Sequence, residues 1–150
     1  MNVLFLDVDG VLNDDKCLKN SWRLGTSTNA ISREYMDRLA EIVHQSWARV
    51  VLSSDWRLHT NRPADSIIRA VLSMWNIRMI GRTPDLIKAQ HRSEEIRHWL
   101  DNTKENVRNF VILDDMEEAG FGMEDNFVHV KDGQGLREEH VKRAIDILNK

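Results

Sequence analysis

Residues 5–12 read FLDVDGVL. Asp7 and Asp9 interrupt an apolar run two positions apart, and Gly10 stands directly behind them. A carboxylate at the end of a buried strand is costly unless something compensates it. Two other stretches end in the same way. VVLSSD at 50–55 closes on Ser53, Ser54 and Asp55, and FVILDD at 110–115 closes on Asp114 and Asp115. If these ends converge, four or five carboxylates share one crevice with hydroxyls beside them. Such a group repels itself, and a hard, oxygen-preferring cation such as Mg²⁺ would relieve the conflict. A single Asp at a strand end is often only a turn former or a cap. Three acidic or hydroxylic strand ends in one chain are harder to dismiss.

Whether they meet depends on the elements that carry them. The run VLFLDV at 3–8 suits a strand covered on both faces. Residues 13–30 read as a long surface loop containing Lys16, Lys19, Trp22 and Arg23. A helix is expected from Ser32, its N-cap, to about Gln45, with Tyr35, Leu39, Ile42 and Val43 at helical spacing and Trp47 closing it. RVVLS at 49–53 is a second strand, and 54–63 a loop. Pro63 opens a helix in which Ile67, Val71 and Trp75 share a face, with Ile68 and Leu72 beside them. IRMI at 77–80 is a short strand and GRTPD at 81–85 a turn. A helix over 93–100 turns Ile96, Trp99 and Leu100 inward. NFVIL at 109–113 is a strand, Met116 to Met123 a mobile segment, and 127–130 a last strand before a helix from about 138. Strands and helices alternate, so the expected fold class is α/β, three-layered and Rossmann-like, with a mainly parallel sheet. In such sheets the ligand crevice lies beyond the C-terminal strand ends, where the acidic groups fall.

Composition narrows the class. The chain has 150 residues, 41% hydrophobic and 30% charged, with a net charge of -3. That is globular composition without a broad cationic face. One domain over residues 1–150 is expected, with no membrane span. The apolar start is short and broken by acids, so it does not read as a signal peptide. The one cysteine, Cys17, allows neither an intrachain disulfide nor a thiolate metal cluster, and a cytoplasmic setting is the simple reading. The six histidines, His59 and His91 nearest the crevice, show no HxxxH or HExxH spacing and are assigned no metal role.

The motifs DVDGVL at 7–12, Ser53 after VVL, and Asp114-Asp115 after FVIL resemble those of the haloacid dehalogenase-like (HAD) phosphohydrolases over essentially the whole chain. The stretches LFLDVDGVLN, VVLSSDWR, TPDL, EIRHWL and FVILDD look like the small HAD phosphatase-type domains associated with RNA repair proteins. The resemblance implies a Mg²⁺-dependent phosphatase working through an aspartyl-phosphate. In such proteins the region after the first motif forms a flap or carries a cap. Here the loop is about eighteen residues long and no extra domain stands between the second and fourth motifs, so a capless or nearly capless fold is expected. Asp7 would be the nucleophile and Asp9 the acid and base. Gly10 would let backbone approach the phosphoryl group and donate to it. Ser53 would bind a phosphoryl oxygen. Asp114 would hold the metal with Asp7 and the carbonyl of Asp9, and Asp115 would be a second ligand or an orienting group.

The basic third motif has two candidates, Lys88 and Arg92, and Arg92 is favoured because it directly precedes the Ser-Glu-Glu-Ile stretch. Ser54, Trp56 and Arg57 follow the second motif. Trp56 and Arg57 could hold a base and a phosphate, although Trp56 could equally fill space under its loop. Whether Asp55 joins the site stays open. The favoured substrate is the phosphorylated end of a nucleic acid or a nucleotide. Alternatives are a small-molecule or sugar-phosphate phosphatase, a catalytically weak domain that binds phosphorylated ligands, and a receiver-like phosphoacceptor. Protein partners, including an RNA repair partner, are not readable from the sequence.

Overall fold

Five short strands pair in parallel in the order β3-β2-β1-β4-β5. The structure is a computed structural model that describes residues 1–17, 31–58, 64–131 and 133–150. The chain runs β1 (Asn2–Leu6), α1 (Arg33–Ser46), β2 (Arg49–Leu52), a 3₁₀ turn (Asp55–Leu58), α2 (Ala64–Met74), β3 (Met79–Arg82), α3 (Arg92–Asn102) and β4 (Asn109–Asp114). Two 3₁₀ turns (Glu117–Gly120 and Glu124–Asn126), β5 (Phe127–His129) and α4 (Glu138–Leu148) complete it. This is a parallel α/β sheet with helices on both faces, as expected. Between β2 and β4 the described residues hold no cap domain. Lys19, Trp22, Arg23, His59 and Pro63 lie outside the described residues.

Strand alternation decides which side chains face which layer. Leu4, Leu6, Val50, Leu52, Val111 and Leu113 pack in one cluster with Met36 and Leu39 of α1, Leu72 of α2 and Leu148 of α4. Val3, Phe5, Val51 and Ile112 face the other way, onto Ile96 and Trp99 of α3. Phe5 meets Trp99 edge-on, with ring centroids 5.4 Å apart. Asp7, Ser53 and Asp114 continue the second alternation. The pleat therefore carries them to the side of the sheet where α3 begins with Arg92.

Hydrogen bonding prolongs the ladder past the last strand residues. Asp7 N–H donates to the carbonyl of Leu113 at 3.0 Å, Ser53 N–H to Leu6 at 2.9 Å, and Thr83 N–H to Leu52 at 2.9 Å. The strand ends are thus tied to one another where the polar side chains emerge.

Several boundaries differ from expectation. β3 lies at Met79–Arg82, not 77–80, because Gly81 and Arg82 pair with Val51 and Leu52 across a register irregularity. Gly81 reads as a breaker, yet it sits in an edge strand under the Trp99 indole. On α2 the buried stripe is Ile68 and Leu72, while Ile67, Val71 and Trp75 are half-buried along a groove shared with Ile31 and Met36. The Trp75 indole instead donates to Asp37 Oδ1 at 2.7 Å. Trp47 closes α1 in the left-handed conformation (φ 55°) but is 87% exposed. Ser32 occupies the N-cap position of α1 without a side-chain capping bond. The segment after β4 is packed rather than loose: Ala119 and Gly120 are buried, and a Cβ on Gly120 would lie 2.3 Å from the Phe127 ring.

Candidate active site

Three strand ends and one helix start converge on a single guanidinium. Arg92 Nη1 lies 2.8 Å from Asp114 Oδ2 and 3.2 Å from Asp7 Oδ1. Its Nη2 lies 2.9 Å from Asp55 Oδ1. Asp7 and Arg92 are buried and Asp114 is fully so. α3 starts at Arg92, one residue before the sequence suggests, and that places the guanidinium at the mouth of the sheet. Lys88, the other candidate, is exposed in the turn before α3 and makes no ion pair among the described residues. Asp55, which the sequence left open, joins the cluster through Arg92.

The acids outnumber the cation. Carboxylate oxygens of Asp7, Asp114 and Asp115 all lie within 4.8 Å of one another. Burial first, then the neighbouring Asp114 carboxylate, push the Asp7 carboxyl well above its usual range, and Arg92 pulls against them. Burial likewise lifts Asp114 to about 6 despite Arg92. Burial works against the Arg92 charge, but Asp114 and Asp7 outweigh it and hold the guanidinium above its ordinary value. Three close oxygen donors with negative charge left over fit a hard divalent cation. Asp9 contributes no carboxylate to this cluster.

Asp9 is instead clamped from two sides. Trp56 Nε1–H donates to its Oδ2 at 3.0 Å, and Asn13 Nδ2–H to its Oδ1 at 3.0 Å. Asn13 also accepts the Gly10 N–H at 2.8 Å, which closes the turn after β1. Asn13 thereby takes the N–H that the resemblance assigns to a phosphoryl group. Gly10 has φ +84°, and a Cβ there would come 2.5 Å from Asp115 Oδ2. The glycine thus supplies a left-handed turn and room for the second acid of the last motif.

Ser53 is fully buried, and its Oγ has no hydrogen-bond partner among the described residues. A buried hydroxyl without a partner costs about 1–3 kcal/mol, which an incoming acceptor would recover. Thr83, next to Ser53 on the adjoining strand end, has an Oγ that is equally without a partner among the described residues. Ser54 is engaged elsewhere, since its Oγ accepts the Trp56 N–H at 3.3 Å and starts the 3₁₀ turn.

Arg57 does not face the crevice. The 3₁₀ turn points it inward, where Nη2 pairs with Glu95 and Nη1 donates to the Ser54 carbonyl at 2.9 Å. Glu95 also accepts the Leu86 N–H at 3.2 Å. The pair fastens the Ser53 loop to α3 one turn beyond Arg92, so a substrate-binding role for Arg57 finds no support in this geometry. Sequence reading missed Asn13, Glu95 and Thr83. Asn13 had one signal, its place directly after the DxDGxL motif. Of the histidines, His91 Nδ1 lies 3.0 Å from Glu118 and His129 Nε2 lies 2.8 Å from the Asp115 carbonyl, and neither joins the carboxylate cluster.

A parallel sheet whose central strand ends in a buried aspartate, faced by a second acidic strand end and a helix-borne arginine, defines a HAD-type phosphohydrolase. The family described as the HAD domain in Swiss Army Knife RNA repair proteins matches residues 3–141 of the sequence, and the chain belongs to that family. Comparison with curated proteins and with solved structures found no match in either.

Proposed function

We propose that the protein is a Mg²⁺-dependent phosphomonoesterase whose substrate is the phosphorylated end of a nucleic acid or a nucleotide. The observation that carries this reading is the placement of Arg92 between Asp7 and Asp114 at 3.2 and 2.8 Å. It leaves one buried carboxylate beside both a cation and a cluster of metal-type donors. Asp7 attacks phosphorus and forms the aspartyl-phosphate, and the ester oxygen leaves with a proton from Asp9. Asp9 then takes a proton from the water that releases phosphate and frees Asp7. Arg92 neutralises charge on Asp7 and on the phosphoryl oxygens. Ser53 Oγ–H donates to a phosphoryl oxygen. Asp7, Asp114 and Asp115 would hold Mg²⁺, which when bound offsets the repulsion between an anionic nucleophile and an anionic phosphate.

Two things support nucleic acid: the family description names RNA repair proteins, and the aromatic Trp56 stands beside Asp9 at the crevice. The test is phosphate release with Mg²⁺ from 3′- and 5′-phosphorylated oligonucleotides, mononucleotides and a sugar phosphate. A preference for oligonucleotide ends is expected. Equal or faster turnover of the sugar phosphate would move the assignment to small-molecule phosphatases.

A further inference from the structure

Away from the catalytic crevice, at the opposite end of β2 and β3, three arginines surround one cavity. Arg49 opens β2, Arg78 immediately precedes β3, and Arg69 comes from α2; together with Asn76 and Glu105 they line a cavity of about 700 Å³. Arg69 Nη1 donates to the Met79 carbonyl at 2.8 Å, which fixes its head at the cavity wall. Arg49 and Arg78 have no carboxylate within ion-pair distance among the described residues, and neither does Arg69. Glu105 lines the cavity but pairs with none of them. In a chain of net charge -3, three arginines beside a single carboxylate are a local reversal of sign.

β3 is an edge strand, and charge is a common protection for exposed edges. Edge protection needs side chains that point outward. It does not need three arginines lining one concavity, one of them held by backbone, with Glu105 the one acid among the lining residues. Planar guanidiniums grouped in this way match phosphate oxygens in paired, fork-like contacts.

We propose that this cavity binds the sugar–phosphate backbone of single-stranded nucleic acid, as a second contact for the strand whose end enters the catalytic crevice. The proposal rests on the nucleic-acid reading of the substrate given above. The edge strand itself supplies the route. Arg78 and Arg82 bracket β3, about 13 Å apart at about 3.3 Å per residue, and Arg82 reaches the crevice side, donating to the Arg57 carbonyl at 3.3 Å. A strand lying along this edge would meet the cavity first and the crevice second. Arginine–phosphate contacts of this kind carry affinity and position without reading sequence.

The experiment is a fluorescence-anisotropy titration with a labelled single-stranded RNA that carries no terminal phosphate, in metal-free buffer, at several salt concentrations. The catalytic crevice then has no phosphomonoester to bind, so the outcome does not depend on phosphatase activity. The wild-type protein should bind with no sequence preference. Arg49→Ala/Arg69→Ala/Arg78→Ala should weaken binding at least tenfold and flatten the salt slope by about 2, as expected for three lost contacts at about 0.7 each on a single strand. Arg49→Ala/Arg78→Ala keeps the Arg69–Met79 bond and serves as the variant whose folding is least exposed to doubt; it should show about two-thirds of that slope change. Wild-type affinity in both variants would overturn the proposal. Equal competition by polyglutamate of matched charge would overturn it as well, since the cavity would then be an acidic-peptide site. Loss of Mg²⁺-dependent phosphate release with RNA binding intact would count against the catalytic reading alone.

Discussion

The indole N–H of Trp56 donates to the Asp9 carboxylate at 3.0 Å, across 47 positions of sequence. Asn13 holds the other oxygen of the same carboxylate. A carboxylate at an exposed position would otherwise be free to rotate, and this clamp selects one orientation. Trp56→Phe keeps the ring that packs against the core but removes the donor. We expect kcat to fall about ten- to hundredfold with KM nearly unchanged, because a displaced catalytic group costs rate rather than binding. An equal rise in KM with kcat intact would instead make Trp56 a substrate contact.

Arg92 joins Asp7, Asp114 and Asp55 through one guanidinium. Arg92→Ala should lower kcat about 10²- to 10³-fold, the usual loss for a preorganised charge at the reacting centre. Arg92→Lys should recover part of the rate but not the three-way geometry, since an ammonium lacks the planar fork. Lys88→Ala should leave turnover at the wild-type level. Steady-state kinetics on an aryl phosphate checks all three, and the reverse ranking of Arg92 and Lys88 would contradict the geometry.

The buried pair Arg57–Glu95 ties the Ser53 loop to α3. Arg57 and Glu95 side chains are 3% and 9% exposed, so removing Glu95 leaves the buried Arg57 charge only the exposed Asp55 carboxylate at 3.7 Å. Glu95→Ala should therefore cost about 3–5 kcal/mol of stability, read by urea unfolding. A loss within error of zero would mean that water reaches the pair.

Asp114 titrates near 6 in the metal-free protein, against an ordinary 3.8, because burial outweighs Arg92. The folded state then holds this proton more tightly than the unfolded state. Its contribution to stability is full below about pH 4 and is lost as pH rises through about 6, by up to about 3 kcal/mol. Asp114→Asn lacks that loss, so the variant should gain on the metal-free wild type between pH 4 and 7, as measured by chemical unfolding. Mg²⁺ must meet an ionised carboxylate, so its stabilisation of the wild type should grow across the same window. A pH-independent difference between the two proteins would contradict the assignment.

The strand ends carried most of what could be read ahead of the structure. Apolar runs that stop at Asp7, Ser53 and Asp114 mark the strands and the crevice, because alternation along a strand fixes which side chains emerge on one face, and the helices between them give the sheet its parallel sense. Arg92 was readable as the basic partner from its place before Glu94, Glu95 and Ile96. What escaped was set by tertiary packing. Arg57 follows Ser53 by four positions and looks like a substrate ligand, yet the 3₁₀ turn buries it against Glu95. Nothing in the local pattern predicts that turn. Gly81 punctuates the sequence as a turn residue, and the edge strand runs through it. Asn13 sits in what reads as loop, although it holds both Gly10 and Asp9.

The central claim is that Asp7 attacks phosphorus and Asp9 serves the acid–base steps. Rapid-quench mass spectrometry with an aryl phosphate and Mg²⁺ tests it most directly. A good leaving group needs little protonation, so Asp9→Asn should still be phosphorylated and then fail to turn over. We predict a phosphoryl adduct on Asp7 in Asp9→Asn, and neither adduct nor phosphate release in Asp7→Asn. Wild-type turnover in Asp7→Asn, or an adduct on another residue, would contradict it.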